Sequence, residues 1–157
     1  MADEKKVLKK ICMLGDFAVG KTSLIRRFVL DEFDDRYIAT VGTKITKKEM
    51  HIDDNLLVLQ IWDIIGNIMY TRLQKQYYKG SDGAFVVCDV TREDTCKSVE
   101  SWVGRFREIS PKAEIIFLAN KIDLEHAYDI DAEFERVVDK YKGHSFKTSA
   151  ILRSSEI

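Results

Sequence analysis

The sequence predicts an α/β fold, a mostly parallel six-stranded sheet with helices on both faces, and three observations carry that prediction. Short apolar runs of strand length alternate with segments whose apolar residues recur at helical spacing. A glycine-bearing turn, Gly15 to Thr22, joins the first such strand to the first such helix. One run is apolar nearly throughout, as a strand covered on both faces must be: Leu56, Leu57, Val58, Leu59 and Ile61.

Val7 to Leu14 is the first strand, and Ser23 to Leu30 the first helix, with Leu24, Ile25 and Phe28 on one face. Lys44 to Ile52 and Asn55 to Trp62 are strands, and Asp53-Asp54 between them signals a hairpin. Met69 to Lys79 reads as a helix that Gly80-Ser81-Asp82-Gly83 ends. Ala84 to Val90 is a buried strand. Asp94 to Ile109 is a helix with Val99, Trp102, Val103, Phe106 and Ile109 at its spacing, stopped by Pro111. Ile115 to Ala119 is a buried strand, Asp131 to Tyr141 a helix with Phe134, Val137 and Val138 on one face, and Ser145 to Lys147 a last short strand. In such sheets ligands lie beyond the carboxyl ends of the strands, and the motifs below fall there.

At 157 residues the chain is expected to form one domain, residues 1–157. A net charge of −1 gives no bulk electrostatic signal for nucleic acid or an anionic membrane. Cys12, Cys88 and Cys96 have no zinc-type spacing, and their odd number suits a reducing, cytoplasmic setting. No apolar run reaches membrane-spanning length, and Ala2 stands where N-myristoylation needs glycine.

Gly15-Asp16-Phe17-Ala18-Val19-Gly20-Lys21-Thr22 spells G-x-x-x-x-G-K-T between strand and helix, with Ser23 next. Backbone N–H groups and the helix N-terminus of such a loop aim partial positive charge at a polyphosphate. Lys21 adds a full charge for the β- and γ-phosphates, and the Thr22 hydroxyl can ligate Mg²⁺. A chance match in a chain this long is about a one-in-a-hundred event, so the fold is read as the three-layer P-loop NTPase type. Asp63 closes a buried strand, placed to hold the metal through water. Gly66 can offer an unobstructed N–H to the terminal phosphate. Asn120-Lys121-Ile122-Asp123 follows another buried strand, and a carboxylate there can accept both a ring N–H and an exocyclic amine from guanine.

At these residues the chain resembles the Ras-superfamily small GTPases, most of all the Rab branch, from about Lys10 to Ala150. The likeness is carried by GDFAVGKT, Thr40 in Thr-Val-Gly, WDIIG, NKID and Thr148-Ser149-Ala150, in that order; Tyr77-Tyr78-Lys79-Gly80 and the DVT at Asp89 to Thr91 point to Rab. The resemblance implies GTP and GDP as ligands, with Mg²⁺ and GTP hydrolysis. It implies that Thr40 completes the metal shell, Phe33 lies against guanine and Tyr37 closes over the phosphates. Asn120 and Asp123 would select the base, Lys121 would brace the loops, and Ser149 and Ala150 would touch the base. Asp31 to Thr43 and Ile64 to Gln76 would be two switch segments, read by effectors and by regulators such as an exchange factor or an activating protein.

The sequence departs from the family at Asp63-Ile64-Ile65-Gly66-Asn67-Ile68, where the family reads Asp-Thr-Ala-Gly-Gln-Glu. Asn67 stands for the glutamine that orients the attacking water, and it is one methylene shorter. Ile65 and Phe17 add bulk near the γ-phosphate, and slow intrinsic hydrolysis is the expectation. The family's final helix has no counterpart before Ile157, so an incomplete C-terminus with an exposed sheet face is expected, and no cysteine for prenylation is present there. A non-cycling nucleotide-bound scaffold is the alternative reading. A P-loop kinase or ATPase shares the cradle, but NKID argues against it. Ile38, Ala39, Ile45 and Trp62 are either an apolar contact surface or core.

Overall fold

The computed structural model describes residues 4–30, 43–64, 72–125 and 129–152. Strands β1 (Lys5–Leu14), β2 (Lys44–Ile52), β3 (Asn55–Asp63), β4 (Gly83–Asp89), β5 (Glu114–Asn120) and β6 (His144–Thr148) build one sheet in the order β2-β3-β1-β4-β5-β6. Among the described strand pairs only β2–β3 is antiparallel. Its register, with Ile52 opposite Asn55, leaves the two-residue turn Asp53-Asp54, and Asp53 takes φ 52° to make it. Helices α1 (Lys21–Leu30), α2 (Arg72–Tyr78), α3 (Glu93–Lys97), α4 (Val99–Ile109) and α5 (Asp131–Tyr141) fill the connections.

Strand order reverses around β1: the chain leaves it toward β3 and β2, then returns to its other side with β4. Loops after β1 and β4 therefore meet at the switch point, where open α/β sheets bind ligands. The three layers follow from the two-residue alternation of the strands. Cys12 and Leu14 of β1, Val86 and Cys88 of β4, and Ile115, Phe117 and Ala119 of β5 face Trp102, Val103, Phe106, Phe134 and Val137 of α4 and α5. Met13, Ile61, Val87 and Leu118 face the other way and meet Val19 of the loop after β1 and Ile25 of α1. On that second side Phe146 pairs in register with Leu118, yet Phe146 is 57% exposed.

The helix expected over Asp94 to Ile109 is two helices that meet at Ser98. Ser98 keeps αR angles, and the hydroxyl lies 2.8 Å from the Asp94 carbonyl four residues back. Such a back-bond competes with the helical ladder and bends it. Of the helix expected over Met69 to Lys79, the described part is α2. The first helix begins earlier than expected, at Lys21, and Phe28 on it is half-exposed with Lys48 Nζ 5.4 Å from its ring. Cys12, Cys88 and Cys96 are free and buried.

Candidate nucleotide-binding site

The loop from Gly15 to Gly20 is shaped by what holds its carbonyls. Lys21 Nζ donates to the Gly15 and Asp16 carbonyls at 2.8 and 2.9 Å. Arg92 Nη2 donates to Phe17 O at 2.8 Å, Lys121 Nζ to Ala18 O at 3.0 Å and Asn120 Nδ2 to Val19 O at 2.9 Å. Gly20 O takes the Leu24 N–H at 2.9 Å and starts the helix. Arg92, Lys121 and Asn120 come from the ends of β4 and β5, so three successive carbonyls turn toward those strands. In planar trans peptides the N–H groups of Ala18, Val19 and Gly20 then face the opposite way. A row of such N–H groups at a helix N-terminus is an anion cradle.

Both glycines of this loop are required by space. A Cβ on Gly15 (φ 139°) would lie 2.2 Å from the Val87 carbonyl oxygen, and one on Gly20 (φ 103°) 2.4 Å from Asn120 Nδ2. Val19 is fully buried and anchors the loop in the core under α1. Lys21 is buried; burial brings its pKa down to about 8, against the pull of Asp63 and Asp16 upward, while nearby Arg92 lowers it further. A polyphosphate against it would favour the charged form.

The Asp16 side chain serves the fold on the far side: Ser98 Oγ lies 2.7 Å from Oδ2, and Trp102 Nε1 donates to Oδ1 at 2.7 Å. Phe17 projects outward, 50% exposed. Thr22 Oγ1 donates to Asp63 Oδ2, bringing a hydroxyl and a buried carboxylate together where α1 starts and β3 ends. Hard oxygens of this kind suit Mg²⁺, which typically takes one or two protein oxygens and completes its shell with phosphate and water. Ser23 is half-buried in the first turn of α1.

The second end of the site is a pair of loops after β5 and β6. Asn120 Oδ1 accepts from Thr148 Oγ1 at 3.1 Å, so its amide bridges the phosphate loop and β6. Lys121 takes φ 67° and pairs with Asp89 at 2.8 Å. Asp123 Oδ1 accepts from Ser149 Oγ at 2.7 Å, and Ser149 Oγ in turn accepts the N–H groups of Ile151 and Leu152 at 3.1 and 3.0 Å. The carbonyl of Ala150 accepts from Arg27 Nε of α1 at 2.7 Å.

The structure thus brings Gly15 through Ser23, Asp63, Asn120, Lys121, Asp123, Ser149 and Ala150 to one edge of the sheet. Phe33, Tyr37, Thr40, Ile65, Gly66 and Asn67 lie outside the described residues, as do Ile38 and Ala39. Ile45 is 53% exposed and pairs across the hairpin with Trp62, which is partly packed on the core and has its ring 6.0 Å from that of Tyr77. Five residues that support the loops escaped the sequence reading: Arg27, Asp89, Arg92, Ser98 and Trp102. Asp89 and Thr91 enter the sequence reading only as the DVT that points to the Rab branch, and nothing local announces Trp102 as a partner of Asp16.

Strand, glycine loop, helix and loop carbonyls held from behind define a nucleotide-binding protein of the P-loop class. The model of the Ras family matches residues 10–156, and the chain belongs to that family. It is similar to the Ras-related protein RABA1f of Arabidopsis thaliana, 33% identical over 156 residues, which are 99% of this chain and 72% of that protein. It is also similar, at 31% identity and the same coverage, to the Ras-related proteins YPTC6 of Chlamydomonas reinhardtii and YPT3 of Nicotiana plumbaginifolia. Membership makes it a small GTPase, a switch that binds GTP and GDP, hydrolyses GTP and is read by regulators and effectors.

Proposed function

We propose that this chain is a Mg²⁺-dependent cytoplasmic GTP switch that hydrolyses its nucleotide slowly. The observation that carries the nucleotide reading is the cradle, with the carbonyls of Phe17, Ala18 and Val19 each held from behind by a different side chain. In this reading Lys21 offsets phosphate charge, the hydroxyl of Thr22 would hold the metal and the carboxylate of Asp63 would hold it through water, and Thr40 and Gly66 meet the γ-phosphate. Bound Mg²⁺ would supply positive charge that neutralises the polyphosphate. Asp123, oriented by Ser149, accepts the guanine donors, while Asn120 and Lys121 keep base and phosphate loops together. Phe33 and Tyr37 cover the base and the phosphates. Effectors and regulators approach over the switch segments and the apolar patch of Ile45 and Trp62.

Slow hydrolysis is inferred from residue identity. Asn67 falls more than about an ångström short of a glutamine's reach, and the branched Ile65 and the aromatic Phe17 add bulk beside it. Single-turnover GTP hydrolysis tests this: the rate should fall well below that of ordinary small GTPases, and Asn67→Gln alone should recover little of it. An ordinary wild-type rate, or a large recovery from that one change, would sink the proposal. Tight GTP binding with no turnover at all would instead favour the non-cycling scaffold.

A further inference from the structure

Ala18 is the strained point of the phosphate loop, since its φ of 59° lies in the left-handed region that a residue with a Cβ rarely enters. Both peptide planes beside it are gripped. Arg92 Nη2 donates to the Phe17 carbonyl before it at 2.8 Å, and Lys121 Nζ donates to its own carbonyl at 3.0 Å. The two cations converge on one acid, with Asp89 Oδ2 lying 3.2 Å from Arg92 Nε and 2.8 Å from Lys121 Nζ. Asp89 is itself held. Its side chain is 2% exposed, and Oδ1 accepts the Thr91 N–H at 2.9 Å and the Thr91 hydroxyl at 2.6 Å. Burial would raise its pKa, but the hydrogen bonds from Lys121 and Thr91 outweigh that and keep it below the ordinary carboxylate value.

Lys121 belongs to the base-loop motif, whereas Arg92 belongs to none of the nucleotide motifs of the sequence. Its guanidinium is held at two points, Nε on the acid and Nη2 on the loop carbonyl, which fixes the plane of the group. We propose that Arg92 is a positioning residue of the phosphate loop, turning the Phe17–Ala18 peptide so that the Ala18 N–H faces the bound phosphates. Lys121 does the same for the next peptide and the Val19 N–H. Asp89 joins the two, so the residue that braces the base loop and the residue that sets the phosphate loop share one anchor. The inference deepens the nucleotide reading above and rests on it.

The test compares wild type, Arg92→Ala and Arg92→Lys, each loaded with GDP. Dissociation of a fluorescent GDP analogue should be about tenfold faster for Arg92→Ala, the effect of losing one charge-assisted hydrogen bond. Arg92→Lys keeps the charge beside Asp89 but lacks the fork, so its rate should fall between the two. In amide NMR spectra of the GDP complexes the Ala18 N–H signal should move in both variants while the Val19 signal, governed by Lys121, stays. A merely structural role would shift both signals or neither. A dissociation rate for Arg92→Ala within about twofold of wild type, or an unmoved Ala18 signal, overturns the proposal. If Arg92→Ala does not fold, Arg92→Lys carries the same two readouts. Wild-type chain that holds no GDP would overturn the nucleotide reading and this inference together; normal wild type with unchanged variants would overturn this inference alone.

Discussion

Lys21 and Thr22 aside, the phosphate end of the site presents backbone and keeps its side chains behind the loop, whereas the base end presents a carboxylate and keeps its backbone behind it. Around Ala18 and Val19, Arg92, Lys121 and Asn120 hold carbonyls, and the N–H groups face the other way. At Asp123 the order is reversed: the side chain is the recognising group, steadied by Ser149, which backbone N–H groups of Ile151 and Leu152 steady in turn. The difference teaches where each end is vulnerable. Backbone recognition fails when a remote residue lets a peptide turn or when a glycine gains a Cβ. Side-chain recognition fails first when the group itself changes.

The largest effect should come from Gly20→Ala. The new Cβ would lie 2.4 Å from Asn120 Nδ2, at a φ of 103° that side chains avoid, and Asn120 is almost fully buried. Strain together with the lost Asn120–Val19 bond should cost about 4 kcal/mol, roughly a thousandfold in GDP affinity. The rise in melting temperature on adding GDP measures it, and a rise equal to wild type would mean that the loop adapts. Asp123→Ala should come next. Loss of two charge-assisted hydrogen bonds to guanine should weaken GTP by about a hundredfold and erase its preference over ATP, while tripolyphosphate binding stays. A competition assay decides, and retained preference for GTP would show that the base is read elsewhere. Ser98→Ala should do least. Asp16 keeps its bond from Trp102 Nε1, so the loss should be about 1 kcal/mol of stability in chemical unfolding, with GDP release altered less than about threefold. A tenfold faster release would make that hydroxyl part of the phosphate end proper.

Much of this was legible before any coordinates. Strand and helix identity followed from periodicity because each element buries one face or two, and β4 and α5 emerged within a residue or so of where they were expected. The break at Ser98 was not legible, since a serine in helical spacing gives no sign that its hydroxyl will bond four residues back and lie against Asp16. Asp16 itself was read as part of the cradle from its place in the motif. Its backbone remains there, but its carboxylate is directed to α4, a choice made by residues far along the chain.

What the sequence by itself determined is the class of chemistry: a glycine loop between strand and helix, an acid at the end of a buried strand, and an Asn-Lys-x-Asp loop, each local enough to read from neighbours in the chain. What only the tertiary structure decided is how those pieces hold one another. Strand order puts β4 beside β1, so Asp89 and Arg92 stand behind the phosphate loop, and β5 brings Asn120 and Lys121 to the same place. The physical reason is that local propensity acts over a few residues, while a carbonyl's partner is set by which strand ends the sheet brings together.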